Sequence, residues 1–215
     1  MSDDPAPRPM ARLKAATAAQ HRATEHRPLP RALARAALSR RQYGLLLQVF
    51  RLLEADLEAR LDLHAEALAP VWGPERAKVH LLEADLAQLS AEDAALPAAL
   101  EAALHAGCPG PLGFGALLGR LYVFEGSTLG GAVLCRRLAA APELANQPLH
   151  YYRGYGPELG PMWARFGRGM NALLAPPRRL EAAIAHARAT FDELGRAFDD
   201  AWTASGAGLG ASRRA

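Results

Sequence analysis

Cysteine is almost absent from the 215-residue chain, which has only Cys108 and Cys135. The two are far apart and match no metal-ligand or redox spacing, so a disulfide scaffold and a thiolate metal site are excluded, and both read as reduced thiols. Strand formers are scarce as well. No run of Val, Ile and Thr occurs, and aromatic residues make up 7% of the chain. A sheet protein has little here to be built from. No apolar stretch approaches the length of a membrane span, and no basic start leads into an apolar leader, so a cytoplasmic protein with no membrane segment is expected. The net charge is +3, and no Lys/Arg block alternates with aromatics, so nucleic acid is not expected as a partner.

What remains is rich in Ala and Leu, and half of the residues are hydrophobic. That composition predicts an all-α single domain of about seven to eight helices. Residues 1–8 and 204–215 read as disordered tails, leaving a domain over 9–203. The predicted helices span 9–26, stopped by Pro28 and Pro30, then 31–37 and a long one over 40–66 with Ser39 as its N-cap. Others are expected from Pro74 to about 89, over 97–106, 113–140, 158–174 and 178–203. An aromatic loop, Leu149 to Gly156, separates two of them. Charge is uneven. Residues 1–41 hold nine basic and three acidic residues, and residues 54–101 hold three basic and eleven acidic ones. The first segment is therefore suited to an anionic ligand, although a solvated helix face has the same pattern.

The segment Tyr122-Val123-Phe124-Glu125-Gly126-Ser127-Thr128-Leu129-Gly130-Gly131 stands out. It continues a helix, yet each interior glycine costs about 1 kcal/mol relative to alanine. Gly126 and Gly130 share a face, which Tyr122 extends by one turn. A helix stripped along one stripe suits either close packing on another helix or a large flat ligand. Near the start, Lys14, Ala18, His21 and Glu25 fall on one narrow stripe at helical spacing. Ala18 leaves space beside the His21 imidazole. Glu25 is placed to orient that ring and raise its basicity, and Lys14 is placed to hold an anion. A lone structural histidine is the alternative.

Together these segments resemble heme oxygenase, in particular the bacterial type that makes biliverdin for bacteriophytochromes. Leu13 through Glu25 meets the family's opening pattern, and Tyr122 through Gly131 meets its distal-helix pattern. The Arg153-Gly154-Tyr155-Gly156 loop and Phe191 in the last helix are similar too. The resemblance implies heme held between the first helix and the glycine helix, as substrate and cofactor at once. His21 would ligate the iron, with Glu25 behind it. Lys14 and Tyr122 would meet the propionates, and Ala18, Gly131, Arg168 and Phe191 would complete the heme contacts. Gly126, Ser127 and Gly130 would form the catalytic wall.

The implied reaction is oxidative ring opening to biliverdin with release of carbon monoxide and ferrous iron. It takes O2 and electrons from an external ferredoxin or reductase, which a basic rim of Arg22, Arg31 and Arg35 would dock. A bacteriophytochrome is the implied recipient of biliverdin. Animal-type members carry an aspartate where this chain has Ser127. A hydroxyl can orient a water but cannot itself act as an acid at neutral pH, so waters on backbone carbonyls are the expected proton route. A non-catalytic heme carrier is the alternative function. A carboxylate/histidine di-iron site built on His21 and Glu25 is a further reading, although it needs more inward acidic ligands.

Overall fold

Ser39 opens the helix around which the core is built. Its hydroxyl accepts from the Gln42 amide, and the Gln42 side chain accepts from the Ser39 amide, a reciprocal cap that satisfies two otherwise orphaned donors. The computed structural model describes residues 8–107 and 110–206. In chain order the helical segments are α1 (Pro9–Glu25), α2 (Pro28–Ala34), α3 (Arg40–Asp62), α4 (Ala65–Leu68), α5 (Val79–Leu86) and α6 (Ala91–Ala94). They continue as α7 (Ala98–Gly107), α8 (Phe114–Ala139), α9 (His150–Arg153), α10 (Leu159–Leu173) and α11 (Pro177–Ala204). Short 3-10 turns lie at Pro74–Arg76, Pro142–Leu144 and Gly156–Glu158, and no strand occurs among the described residues. The all-α expectation holds.

Several boundaries differ from the sequence reading, each for a local reason. Pro28 and Pro30 do not only stop α1. They sit in the first turn of α2, where the missing N–H costs nothing. The long helix ends at Asp62, because Leu63 and His64 turn the chain outward and leave Leu63 81% exposed. The helix expected from Pro74 is split, and α5 starts at Val79. There the Glu58 carboxylate accepts from the Lys78 and Val79 amides at 2.6 and 3.1 Å, supplying the cap that the local sequence lacks. The aromatic loop contains a one-turn helix, α9, capped from outside by Asp85, which accepts from the His150 and Tyr151 amides at 2.8 and 2.9 Å. Cys108 and the greater part of both expected tails (1–7 and 207–215) lie outside the described residues. Arg8, however, gives its carbonyl to Ala11 and Arg12, and Ala204 is the last residue of α11.

The core lies among α3, α8 and α11. α3 contributes Tyr43, Leu46, Leu47, Phe50, Leu53 and Leu57, α8 contributes Leu117, Leu118, Leu121 and Phe124, and α11 contributes Phe191, Leu194 and Phe198. α8 and α11 meet through small residues. A Cβ on Gly119 would stand 2.2 Å from the Ala183 carbonyl oxygen, and one on Gly115 would stand 2.8 Å from that of Arg179. The two backbones therefore touch, with no room for a methyl group between them. Beyond this contact, the buried Arg120 guanidinium pairs with Glu193 of α11 and reaches Asp56 of α3 at 3.7 Å, tying the three helices together.

Gly119→Ala tests that contact. Although alanine improves helix propensity, the added methyl must push α8 off α11, and overpacking of this kind costs roughly 1–3 kcal/mol. The variant is expected to melt several degrees lower by differential scanning calorimetry. An unchanged or higher Tm would show that the two helices separate freely.

Candidate functional site

Helix α1 buries little of itself. Only Leu13 and Thr17 are fully buried, and its outward stripe is open: Lys14, His21 and Glu25 are exposed and Ala18 is half-buried. The helix is held from behind by polar ties. Thr24 donates to the Phe191 carbonyl at 3.1 Å, Arg188 donates to the Ala16 carbonyl at 2.9 Å, and the Asn171 side chain accepts from the Met10 amide at 3.0 Å. The first two come from α11 and the third from α10. None of them uses the outward stripe.

On that stripe the His21 side chain is 55% exposed. Its Nδ1 faces Glu25 Oε2 at 3.6 Å, beyond direct hydrogen-bond length but spaced for orientation by the carboxylate. Phe191 supports the ring from the side, edge to face, with centroids 5.4 Å apart. Nε2 is thereby left as the nitrogen directed away from Glu25. Lys14, two turns earlier on the same stripe, has no ion-pair partner among the described residues.

α8 approaches α1 where the half-buried Tyr122 phenol meets the Thr17 hydroxyl; burial pushes that phenol's pKa up, and the Thr17 contact opposes the rise. One turn beyond this contact stand His21 on α1 and Gly126 on α8. The two glycines that define the bare stripe face open space: a Cβ on Gly126 or Gly130 would meet nothing within 4 Å. Close helix packing therefore accounts for Gly115 and Gly119 but not for these two. Leu129 and Val133, at 40% and 51% exposure, lie beside them as uncovered apolar side chains. Gly131 faces inward, where a Cβ would lie 3.3 Å from the Tyr152 carbonyl oxygen, so it is a packing glycine against α9 and not part of the open face. Ser127 is half-buried, and its hydroxyl donates to the Phe124 carbonyl at 2.7 Å. Arg168 is exposed on α10, with no contact to the other site residues in this structure.

Directly behind the glycine face lies a buried cluster of charge. Glu125, fully buried, takes hydrogen bonds from Arg76, from Lys78 at 3.3 Å and from the Tyr155 hydroxyl at 2.8 Å. Arg76 also donates to the Met162 carbonyl at 2.9 Å. Lys78 Nζ stands 3.9 Å from Glu54 Oε1, and the Tyr151 hydroxyl donates to that same oxygen at 3.5 Å. Burial pushes the Glu54 carboxyl up to about 7; Lys78 opposes the rise, Glu58 and Glu125 add to it, and the Tyr151 hydrogen bond opposes it. Lys78 is also shifted. Its own burial disfavours the charge, but Glu54 and Glu125 outweigh that and drive its pKa upward.

The sequence reading did not find Glu54, Arg76, Lys78, Tyr151 or Tyr155 as members of one cluster. A signal was present, because Glu125 falls inside a run of core positions on α8 (Leu121, Val123, Phe124), where a carboxylate requires partners. Among the described residues, no group of three or more His, Cys, Asp or Glu side chains is placed to hold a metal ion, so the His21/Glu25 di-iron reading lacks its further ligands. No helix among the described residues is long and apolar enough to cross a membrane.

A family model described as heme oxygenase matches residues 9–200. Solved structures with the same fold include heme oxygenase-1 from the cyanobacterium Synechocystis sp. PCC6803 in complex with heme, at 16% identity and a TM-score of 0.78, covering 96% of this chain and 97% of that one. The heme oxygenase from Leptospira interrogans matches at 17% identity and a TM-score of 0.75, covering 90% of this chain and 100% of that one. The NO- and CO-bound heme oxygenase from Neisseria meningitidis matches at 21% identity and 0.70, covering 92% and 94%. A search of curated proteins finds no match.

Two measurements check the site's physics without any ligand. Gly126→Ala is expected to stabilise the free protein by about 1 kcal/mol, because the methyl enters open space and helix propensity improves. For a chain of this size that is a Tm rise of about 2–4 °C, and a fall instead would mean that Gly126 packs on something. Glu54 carries the pH dependence. Its raised pKa favours the folded state at low pH, an advantage lost as the pH climbs from the ordinary Glu value to about 7. Glu54→Gln should therefore gain on the wild type in thermal stability between about pH 5 and about pH 8. A constant difference across that range would mean that Glu54 is ionised throughout.

Proposed function

The chain belongs to the heme oxygenase family, and from that premise we propose that it opens the heme ring oxidatively, giving biliverdin, carbon monoxide and ferrous iron. The observation that carries the reading is the pairing of two open faces: the Gly126/Gly130 face of α8, which none of the described residues fills, and the exposed His21 stripe of α1. The residues fit the group. A flat macrocycle needs a wall without side chains, apolar neighbours such as Leu129 and Val133, an imidazole for its metal and cations for its carboxylates.

In this reading heme, when bound, supplies the metal at which O2 is activated and is itself the molecule oxidised. The protein's part is placement. His21 would hold the iron through Nε2, with Glu25 and the edge of Phe191 orienting the imidazole. Ala18 gives the imidazole room. Lys14 and Tyr122 take the propionates, with Arg168 as a further cation for them. Gly126 and Gly130 bring the α8 backbone close enough to exclude bulk water from the reacting edge and to set the direction of attack. Electrons come from a separate ferredoxin or reductase in the cytoplasm, docked on the Arg22, Arg31 and Arg35 side, and biliverdin passes to an acceptor such as a bacteriophytochrome.

Adding hemin and then a reductant to the purified protein tests this directly. Loss of the Soret band with appearance of a verdin spectrum is expected; a stable ferrous complex would instead identify a heme carrier. His21→Ala should lose the low-frequency iron–histidine vibration in resonance Raman of the ferrous complex. If that mode persists in the variant, His21 is not the ligand.

A further inference from the structure

Ser127 follows Gly126 but is turned about 100° from it, onto the side of α8 that Gly131 shares and that faces Tyr151, and behind it polar side chains form a line through the protein. The Ser127 hydroxyl gives its proton to the Phe124 carbonyl, which leaves its oxygen free to accept. The Tyr151 phenol is hydrogen-bonded to Ser127 on one side and stands 3.5 Å from Glu54 Oε1 on the other. Tyr151 is held in place from its own backbone, since Asp85 binds the His150 and Tyr151 amides at 2.8 and 2.9 Å. A cavity of about 90 Å³, lined in part by Phe50, Ser127, Thr128 and Tyr151, opens beside the phenol and has room for a few waters.

We propose that Glu54 is the proton store of this site, and that it discharges through the Tyr151 hydroxyl to Ser127 and so into the cavity that Ser127 lines beside the glycine face. The inference rests on the ring-opening function proposed above and supplies the acid that Ser127 itself cannot be. The step is a concerted shift of three hydrogens. The Tyr151 hydroxyl, which donates to Glu54 when that carboxyl is ionised, turns to Ser127 Oγ once Glu54 is protonated. The Glu54 carboxyl proton then moves to Tyr151 Oη, the phenolic proton moves to Ser127 Oγ, and the Ser127 proton, turned away from the Phe124 carbonyl, passes to the acceptor in the cleft. One proton leaves Glu54 and one enters the cleft. No electron moves, and both hydroxyls end as they began. The resulting carboxylate faces the Lys78 ammonium at 3.9 Å, and protonation from solvent restores the store.

The other buried acid is unsuited to this role. Glu125 has both oxygens occupied by Arg76, Lys78 and Tyr155, and it makes no contact with Tyr151 or Ser127. Among the described residues Glu54 meets only Lys78 and Tyr151 at hydrogen-bond or ion-pair range, with Glu58 and Glu125 as its like-charged neighbours. Burial and those two carboxylates raise its pKa to about 7, where an acid can give and regain a proton at working pH.

Infrared titration of the heme-free protein reads the store directly. A protonated carboxyl stretch is expected to vanish with a midpoint of about pH 7, to be missing in Glu54→Gln, and to move in frequency in Tyr151→Phe. A wild type whose carboxyl groups are all ionised well below that midpoint overturns the proposal. Single-turnover ring opening of the hemin complex reads the route. Glu54→Gln and Tyr151→Phe are each expected to slow it by roughly a hundredfold or more, with hemin affinity unchanged, and Glu54→Gln is expected to remove the rate's fall with rising pH. If the wild type opens heme and Glu54→Gln does so at the same rate with the same pH profile, the relay is wrong and the function stands. If the wild type binds hemin and never opens it, the function itself is wrong and the relay falls with it.

Discussion

α8 lies backbone to backbone on α11 only because Gly115 and Gly119 carry no side chain. The rest of the site depends on that contact. It fixes the first half of α8 in the core, with Arg120 bonded to Glu193 across the same interface, and so fixes the direction in which the second half projects. In that second half glycine has the opposite use, because a Cβ on Gly126 or Gly130 would meet none of the described residues within 4 Å. Each of the four positions costs helix propensity of about 1 kcal/mol. At the first pair, close packing offsets the cost. At the second pair no contact with the described residues does, so the offset comes from whatever fills the open face, which in the proposed function is heme.

The other wall is built by a different principle. α1 has only two fully buried residues, too few for hydrophobic burial alone to fix its position. It is instead tied to α10 and α11 through the Met10 amide, the Ala16 carbonyl and the Thr24 hydroxyl, and Arg27, just beyond its end, pairs with Asp199 at 2.6 Å. Directional bonds at the back of a helix hold it without occupying its front. The stripe of Lys14, Ala18, His21 and Glu25 is therefore free for a ligand, while the opposite side of the helix is tied to its neighbours. Since α1 and α8 are both referred to α11, the gap between them is set by one rigid element.

The parts of this arrangement that repeat at helical spacing were legible in the residues themselves. The Lys14/Ala18/His21/Glu25 stripe, the bare Gly126/Gly130 face, the Ser39 cap and the all-α class each rest on local periodicity or local chemistry. What was not legible is what is assembled from several elements. Glu58 caps α5 from α3, Asp85 caps α9 from α5, and Pro28 opens a helix because residues beyond it pack. The direction of Gly131 follows the same rule. Its spacing from Gly130 is a single residue, which turns it by 100° towards Tyr152 and out of the open face.

The charge cluster shows how a fold can give two identical side chains different chemistry. Glu54 and Glu125 are both fully buried and both face Lys78. Burying four charged groups is costly, and such clusters persist only when nearly every hydrogen-bonding position is filled. Around Glu125 they are filled, by a guanidinium, an ammonium and a phenol. Around Glu54 they are not, since its nearest cation is 3.9 Å away and its one hydroxyl partner is at 3.5 Å. Environments that push two carboxyls apart in this way separate a fixed structural charge from a group that can exchange its proton. The exchangeable one stands on the side of Tyr151 and Ser127. The same α8 backbone that leaves room for a ligand in front thus carries, one residue earlier at Glu125, the anchor that holds Lys78 in place behind it.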